Sequence, residues 1–176
     1  MLEVIHAFNL KELEFWITTN VDAIRFSDDW GSQHALLVSP ETWRHMFKPL
    51  YADYCKLIHS RGKSAFMHCC GQILEIYEDL IEIGVDAINS QLFAMDMAEL
   101  SKRAKGKITF WGDIDRQHII TSPDPAVGRG AVKKVAAHFY DPAGGVIAQL
   151  WVDPGANLDT TIAILEEWEK IPSAAG

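Results

Sequence analysis

The stretch SAFMHCCGQILEIY, residues 64–77, sets a histidine beside two of the chain's three cysteines and follows them with glycine. On a strand successive side chains alternate between faces, so His68 and Cys70 point one way and Cys69 the other. Imidazole and thiolate on one face suit Zn2+, and Gly71 lets the backbone turn sharply beside an ion. A catalytic zinc takes three protein ligands and keeps one position open. The third ligand must therefore come from another strand end, with Asp29, Asp113 or a further segment as candidates. The competing reading makes Cys69 and Cys70 small buried hydrophobes and gives His68 a hydrogen bond to a loop.

Two other stretches carry polar residues that could do chemistry. In FSDDWGSQ, residues 26–33, Asp28 and Asp29 fall on opposite faces of a strand end, so one can enter a central cavity while the other caps the turn. Trp30 can floor a pocket there or simply pack. In FWGDIDRQ, residues 110–117, Asp113 and Asp115 lie on one side if the strand runs that far, and the competing reading has them cap the following loop. Asp29 and Asp113 are the expected catalytic carboxylates. Substrate contacts are expected from Asp28, Trp30, Gln33, Asn89, Gln91, Trp111, Asp115, Gln117 and Gln149, with Trp151 and Asp153 beside them, and metal ligation from His68 and Cys70. His45, His59 and His138 lie on expected helices, where surface or packing roles suffice, and Cys55 reads as core.

The elements that must position these groups alternate. Short β-branched and aromatic runs predict five strands: DAIRFS from Asp22, SAFMHC from Ser64, DAINSQL from Asp86, KITFWGDI from Lys107 and GGVIAQLWV from Gly144. Helical periodicity predicts helices over 3–19, 40–60, 73–83, 96–104, 124–138 and 158–170. Ser39-Pro40-Glu41 and Ser122-Pro123-Asp124 read as helix starts, because serine caps, proline suits the first turn and an acid faces the positive end of the helix. Val-Asp-Ala-Ile recurs at 21–24 and 85–88, which fits repeated helix-to-strand junctions. The alternation predicts βα units around a parallel sheet, where the loops after the strands' C-terminal ends build the active site.

With 176 residues, 48% of them hydrophobic, the chain can bury a substantial core. One domain is expected over residues 1–171, with a loose tail over 172–176. A net charge of −8 gives no electrostatic footprint for nucleic acid or an anionic membrane. No run approaches the roughly 18 apolar residues of a membrane span, and MLEVIHAFNLKELEFW has acids where a signal peptide has a basic flank, so a cytoplasmic protein is expected. Three cysteines, two of them adjacent, argue against a disulfide framework. Small-molecule chemistry or a protein partner is the expected role.

Taken together, FSDDWGSQHALLVSPETWRHMFKPLYADYCKLIHSRGK, FMHCCG, IEIGVDAINSQ and ITFWGDIDRQ resemble the uroporphyrinogen decarboxylase-like family, in the right order from about residue 20 to 170. The resemblance implies an α/β fold of the (β/α)8 TIM-type barrel. It also implies either porphyrinogen decarboxylation, a lyase step of porphyrin biosynthesis, or cobalamin-linked methyl transfer of the methylcobalamin:coenzyme M type. In the methyltransferase branch a His-x-Cys-Gly motif carries zinc that activates a thiol, and His68, Cys70 and Gly71 match it. A complete barrel takes about 250 residues, so the chain corresponds to a C-terminal portion with about five of eight strands. At the last strand, where the family places a cysteine or a histidine, this chain reads IAQLWVDPG. The expectation is zinc-dependent methyl transfer between a corrinoid, on a partner protein, and a thiol or related small substrate. Decarboxylation is the alternative. An inactive or partner-dependent half-barrel is the further one, and a homodimer or a partner supplying the missing half would cover its strand edges.

Overall fold

A computed structural model describes residues 1–172; the expected tail otherwise lies outside the described residues. The fold is α/β, with five parallel strands in the sheet order β1-β2-β3-β4-β5 and seven α-helices among the described residues. This is the strand-helix succession of a partial (β/α)8 barrel. Two compact units divide the chain, Met1–Ile88 and the part from Asn89 onward.

In the first unit α1 (Leu2–Trp16) leads into β1 (Ala23–Ser27), and α2 (Pro40–Met46) and α3 (Lys48–His59) lead into β2 (Ser64–Cys69). A 3-10 turn over Leu74–Ile76 and α4 (Tyr77–Glu82) follow, and β3 (Ala87–Ser90) begins at the unit's end. β1 and β2 pair in parallel from Ala23↔Ser64 to Ser27↔His68. β2 has the expected alternation: Ala65, Met67 and Cys69 are fully buried, whereas Ser64, Phe66 and His68 are only partly so. Trp43, Cys55, Ile58, Ile76, Tyr77 and Leu80 complete the core on the helical side. Asp79, nearly buried, accepts from Arg44 Nε at 2.9 Å and from Lys48 Nζ at 2.8 Å, tying α4 to α2 and α3. Asp86, in the second Val-Asp-Ala-Ile, accepts from the Ala65 N–H at 2.7 Å and pins the junction to β2.

The helix expected over 40–60 is two helices. Pro49 has no N–H to donate back to residue 45, and its ring crowds that turn, so the chain breaks at Phe47 and restarts with proline in the first turn of α3. Ser39 caps α2 as expected, accepting from the Thr42 N–H at 3.1 Å. No helix among the described residues is long and apolar enough to cross a membrane.

In the second unit a 3-10 turn over Leu92–Ala94 and α5 (Met97–Ala104) precede β4 (Thr109–Gly112), and α6 (Pro125–Phe139) precedes β5 (Val146–Ile147) and α7 (Leu158–Trp168). β4 and β5 pair in parallel, Phe110↔Val146 and Trp111↔Ile147. The strand expected from 144 through 152 is thus far shorter, and Gln149 and Trp151 lie in the loop after it. Gly144 and Gly145 both have positive φ, which delays strand entry. Asp124, not Ser122, caps α6, accepting from the Ala126 N–H at 2.9 Å, with Pro125 in the first turn. Phe110 and Phe139 pack with ring centroids 4.3 Å apart in a core shared with Leu92, Leu100, Val132 and Ile164.

Candidate metal centre and the strand-end residues

The loops after β1 and β2 run against each other beyond the ladder. The Asp28 N–H donates to His68 O at 3.1 Å, the Gly31 N–H to Cys70 O at 3.1 Å, and the Gln72 N–H to Ser32 O at 2.7 Å. This approach requires two glycines. A Cβ on Gly71, whose φ is +81°, would overlap the Gly31 carbonyl, and one on Gly31 would lie 2.6 Å from Gln72 N.

The clasp brings three side chains together. His68 Nε2 lies 3.2 Å from Cys70 Sγ and 3.5 Å from Asp29 Oδ1, and the ligand atoms of all three lie within 4.8 Å of one another. The Cys70 N–H donates to Asp29 Oδ1 at 2.9 Å, which fixes that carboxylate over the end of β2. Bond lengths of about 2.0–2.3 Å put ligand atoms of a tetrahedral zinc roughly 3.4–3.6 Å apart. The two spacings from His68 lie near that range, and imidazole, thiolate and carboxylate are a donor set that suits a three-ligand zinc site with one open position. Asp29 is more than half exposed and His68 is 23% exposed, so the centre is open to a small molecule.

Cys69 is turned away from this cluster. It is fully buried, its sulfur accepts from the Trp30 N–H at 3.3 Å, and burial pushes its thiol up to about 12. Asp28 also faces elsewhere: its Oδ2 accepts from the Tyr51 hydroxyl at 2.6 Å, and Tyr51 oxygen accepts from Trp30 Nε1 at 2.8 Å. Tyr51 was not singled out in the sequence, although Phe47, just before α3, and Tyr51 and Tyr54 on it recur at helical spacing. Trp30 packs on Phe47 with ring centroids 4.3 Å apart. Gln33 is exposed in the same loop.

In the second unit Asn89 Nδ2 donates to Trp111 O at 2.7 Å and to Gln149 Oε1 at 2.5 Å, so these three expected substrate contacts form one hydrogen-bonded group. Gln91 follows β3, its carbonyl accepting from the Ala94 N–H. β4 stops at Gly112, so Asp113 and Asp115 do not share a strand face. Asp115 instead caps the following turn, accepting from the backbone of Gln117 and His118 at 2.7 and 3.1 Å. Gln117 is exposed.

Asp113 is different. It is 13% exposed, its Oδ2 lies 3.5 Å from Arg116 Nε, and its Oδ1 is buried without a hydrogen-bond partner among the described residues. Burial pushes its pKa from 3.8 up to about 6, against the pull of Arg116 and the Trp151 N–H. A folded-state pKa above the unfolded one means that Asp113 contributes stability below pH 4 that is lost as the pH rises through about 6. The span is worth at most about 3 kcal/mol. Asp113→Asn should therefore gain stability over the parent as the pH rises from 4 to 7, by about 2 kcal/mol. Urea unfolding of both proteins at the two pH values checks this; a constant difference would contradict it.

The strand-helix succession and loop-borne polar groups at strand ends define the barrel class. A family model described as Uroporphyrinogen decarboxylase (URO-D) matches residues 1–153, and the chain belongs to that family. No curated protein sequence matches it. Among solved structures it is similar to a methyltransferase from Methanosarcina mazei, with a TM-score of 0.67 and 13% sequence identity over 86% of this chain. The chain spans 42% of that protein's length.

Proposed function

We propose that the chain forms part of a zinc-dependent enzyme that transfers a methyl group between a corrinoid, carried by a partner protein, and a thiol or related small substrate. The observation that carries the reading is the convergence of Asp29, His68 and Cys70 within one ligand sphere. These three would hold the ion. When bound, zinc supplies Lewis acidity that keeps a substrate thiol in its thiolate form at neutral pH.

The chain's own groups do the positioning. His68 Nε2 and Cys70 Sγ face one another at one strand end, and the Cys70 N–H orients Asp29 toward them. In the transfer the substrate sulfur bonds the methyl carbon as that carbon's bond to its donor breaks. The electron pair stays with the donor, and the thiol proton leaves to solvent. Gln33, exposed in the loop that carries Asp29, is the substrate contact proposed beside the centre. Asn89, Gln91, Trp111, Gln117 and Gln149 are proposed as substrate contacts within the second unit.

A partner belongs to the proposal. Among the described residues β1 and β5 each have one neighbour in the sheet, and Val4, Phe8 and Phe15 of α1 are 72%, 63% and 62% exposed. Unpaired edges and exposed apolar side chains favour cover by a second copy or by a chain bearing further strands.

Decarboxylation is the second reading. It is favoured by Asp113, an acid that holds its proton up to about pH 6 beside Arg116. The test is absorption spectroscopy of methylcobalamin mixed with the zinc-loaded protein and small thiols. Thiol-dependent demethylation that a chelator abolishes is expected. Absence of any acceleration, with carbon dioxide released from a porphyrinogen instead, would reverse the order of the two readings.

A further inference from the structure

The first unit has a concavity that the metal centre leaves unused. A cavity of about 220 Å³ lies between α1, the loop after β1 and α3. Its walls are largely apolar, with Ile5 from α1, Trp30 from the loop, and Phe47 and Leu50 at the start of α3. A single carboxylate, Asp28, borders this lining. The Tyr51 hydroxyl holds it at 2.6 Å and is itself held by Trp30 Nε1 at 2.8 Å, so the carboxylate's orientation is set before any ligand arrives. No lysine or arginine among the described residues pairs with Asp28. His6, also in the lining, is engaged by Tyr54 and Asp53.

A charged group beside an apolar wall selects its ligand by charge. An anion meets repulsion from Asp28, and a neutral apolar molecule strips water from the carboxylate without replacing its hydrogen bonds. A cation gains a charge-assisted hydrogen bond, and its apolar part leaves water for the apolar and aromatic wall. We propose that this cavity binds a small organic amine, its ammonium donating to Asp28 and its apolar body lying against Ile5, Trp30, Phe47 and Leu50. Neither His68 nor Cys70 takes part, so the site does not depend on bound metal.

The test is calorimetric titration of the chelator-treated protein with isobutylamine, its neutral analogue isobutanol and its anionic analogue isovalerate. Saturable one-site binding of the amine is expected, with the alcohol at least about tenfold weaker and no binding of the acid. Asp28→Asn should lower the amine's affinity at least about tenfold. No saturable binding of the amine, an alcohol that binds as tightly, or unchanged affinity in Asp28→Asn would overturn the proposal. The three-ligand comparison uses the unmodified protein, so it stands even if the variant folds poorly. Zinc content measured on the same preparation separates the two ideas, since amine binding without zinc uptake would sink only the metal reading.

Discussion

Replacing Cys70 with serine is expected to release zinc from the protein, while Cys69→Ser leaves zinc content nearly unchanged. The two cysteines are adjacent, yet the strand puts them on opposite faces. Cys70 Sγ sits 3.2 Å from His68 Nε2, and Cys69 is fully buried beneath the Trp30 N–H. Removing the sole thiolate leaves imidazole and carboxylate, a pair that gives too few good donors for a zinc that favours nitrogen and sulfur. Metal affinity should fall by a factor of about a hundred or more, on the scale at which ligand-supporting groups alone cost 10–100-fold. Elemental analysis of both variants checks this. Equal zinc in the two, or none in the parent purified without chelator, would return MHCCG to the role of a buried strand end.

Gly71→Ala is the second large effect, and it acts through the backbone. An alanine at φ +81° costs roughly 1–2 kcal/mol by itself. Its Cβ would also overlap the Gly31 carbonyl, so the loops must separate. Separation threatens the Gly31 N–H to Cys70 O and Gln72 N–H to Ser32 O hydrogen bonds, each worth about 1 kcal/mol. A loss of about 3 kcal/mol or more is expected in urea unfolding. Zinc uptake should weaken too, because the same clasp carries Asp29 to His68. Gly62→Ala is the control: its φ is also positive, +66°, but nothing lies within 4 Å of the added carbon. Equal destabilisation of the two variants would show that φ alone, not the clasp, matters at residue 71.

The parts of this fold that sequence displays are those set by local periodicity. β2 alternates over six residues, so the shared face of His68 and Cys70 follows from the order of residues alone. The resemblance across four separated motifs likewise implied the barrel fold and the family. What sequence hides is set by partners far along the chain. Alternation puts Asp28 and Asp29 on opposite faces of a strand end but does not show what holds each; a hydroxyl on α3, 23 residues on, draws Asp28 away, and the Cys70 N–H, 41 residues on, draws Asp29 to the centre. Asp115 looked like a partner for Asp113 only while β4 was taken to run past Gly112. The periodicity over 40–60 gave one helix because it does not register Pro49, which ends one helix and opens the next.

The most direct test of the Asp29, His68 and Cys70 centre is zinc-edge X-ray absorption on the metal-loaded protein. One sulfur at about 2.3 Å, with nitrogen and oxygen neighbours at about 2.0–2.2 Å, is the result this account predicts. Two sulfurs would mean that Cys69 or a cysteine of another chain binds the metal, and a shell of nitrogen and oxygen alone would remove Cys70 from it; either would contradict the centre described here.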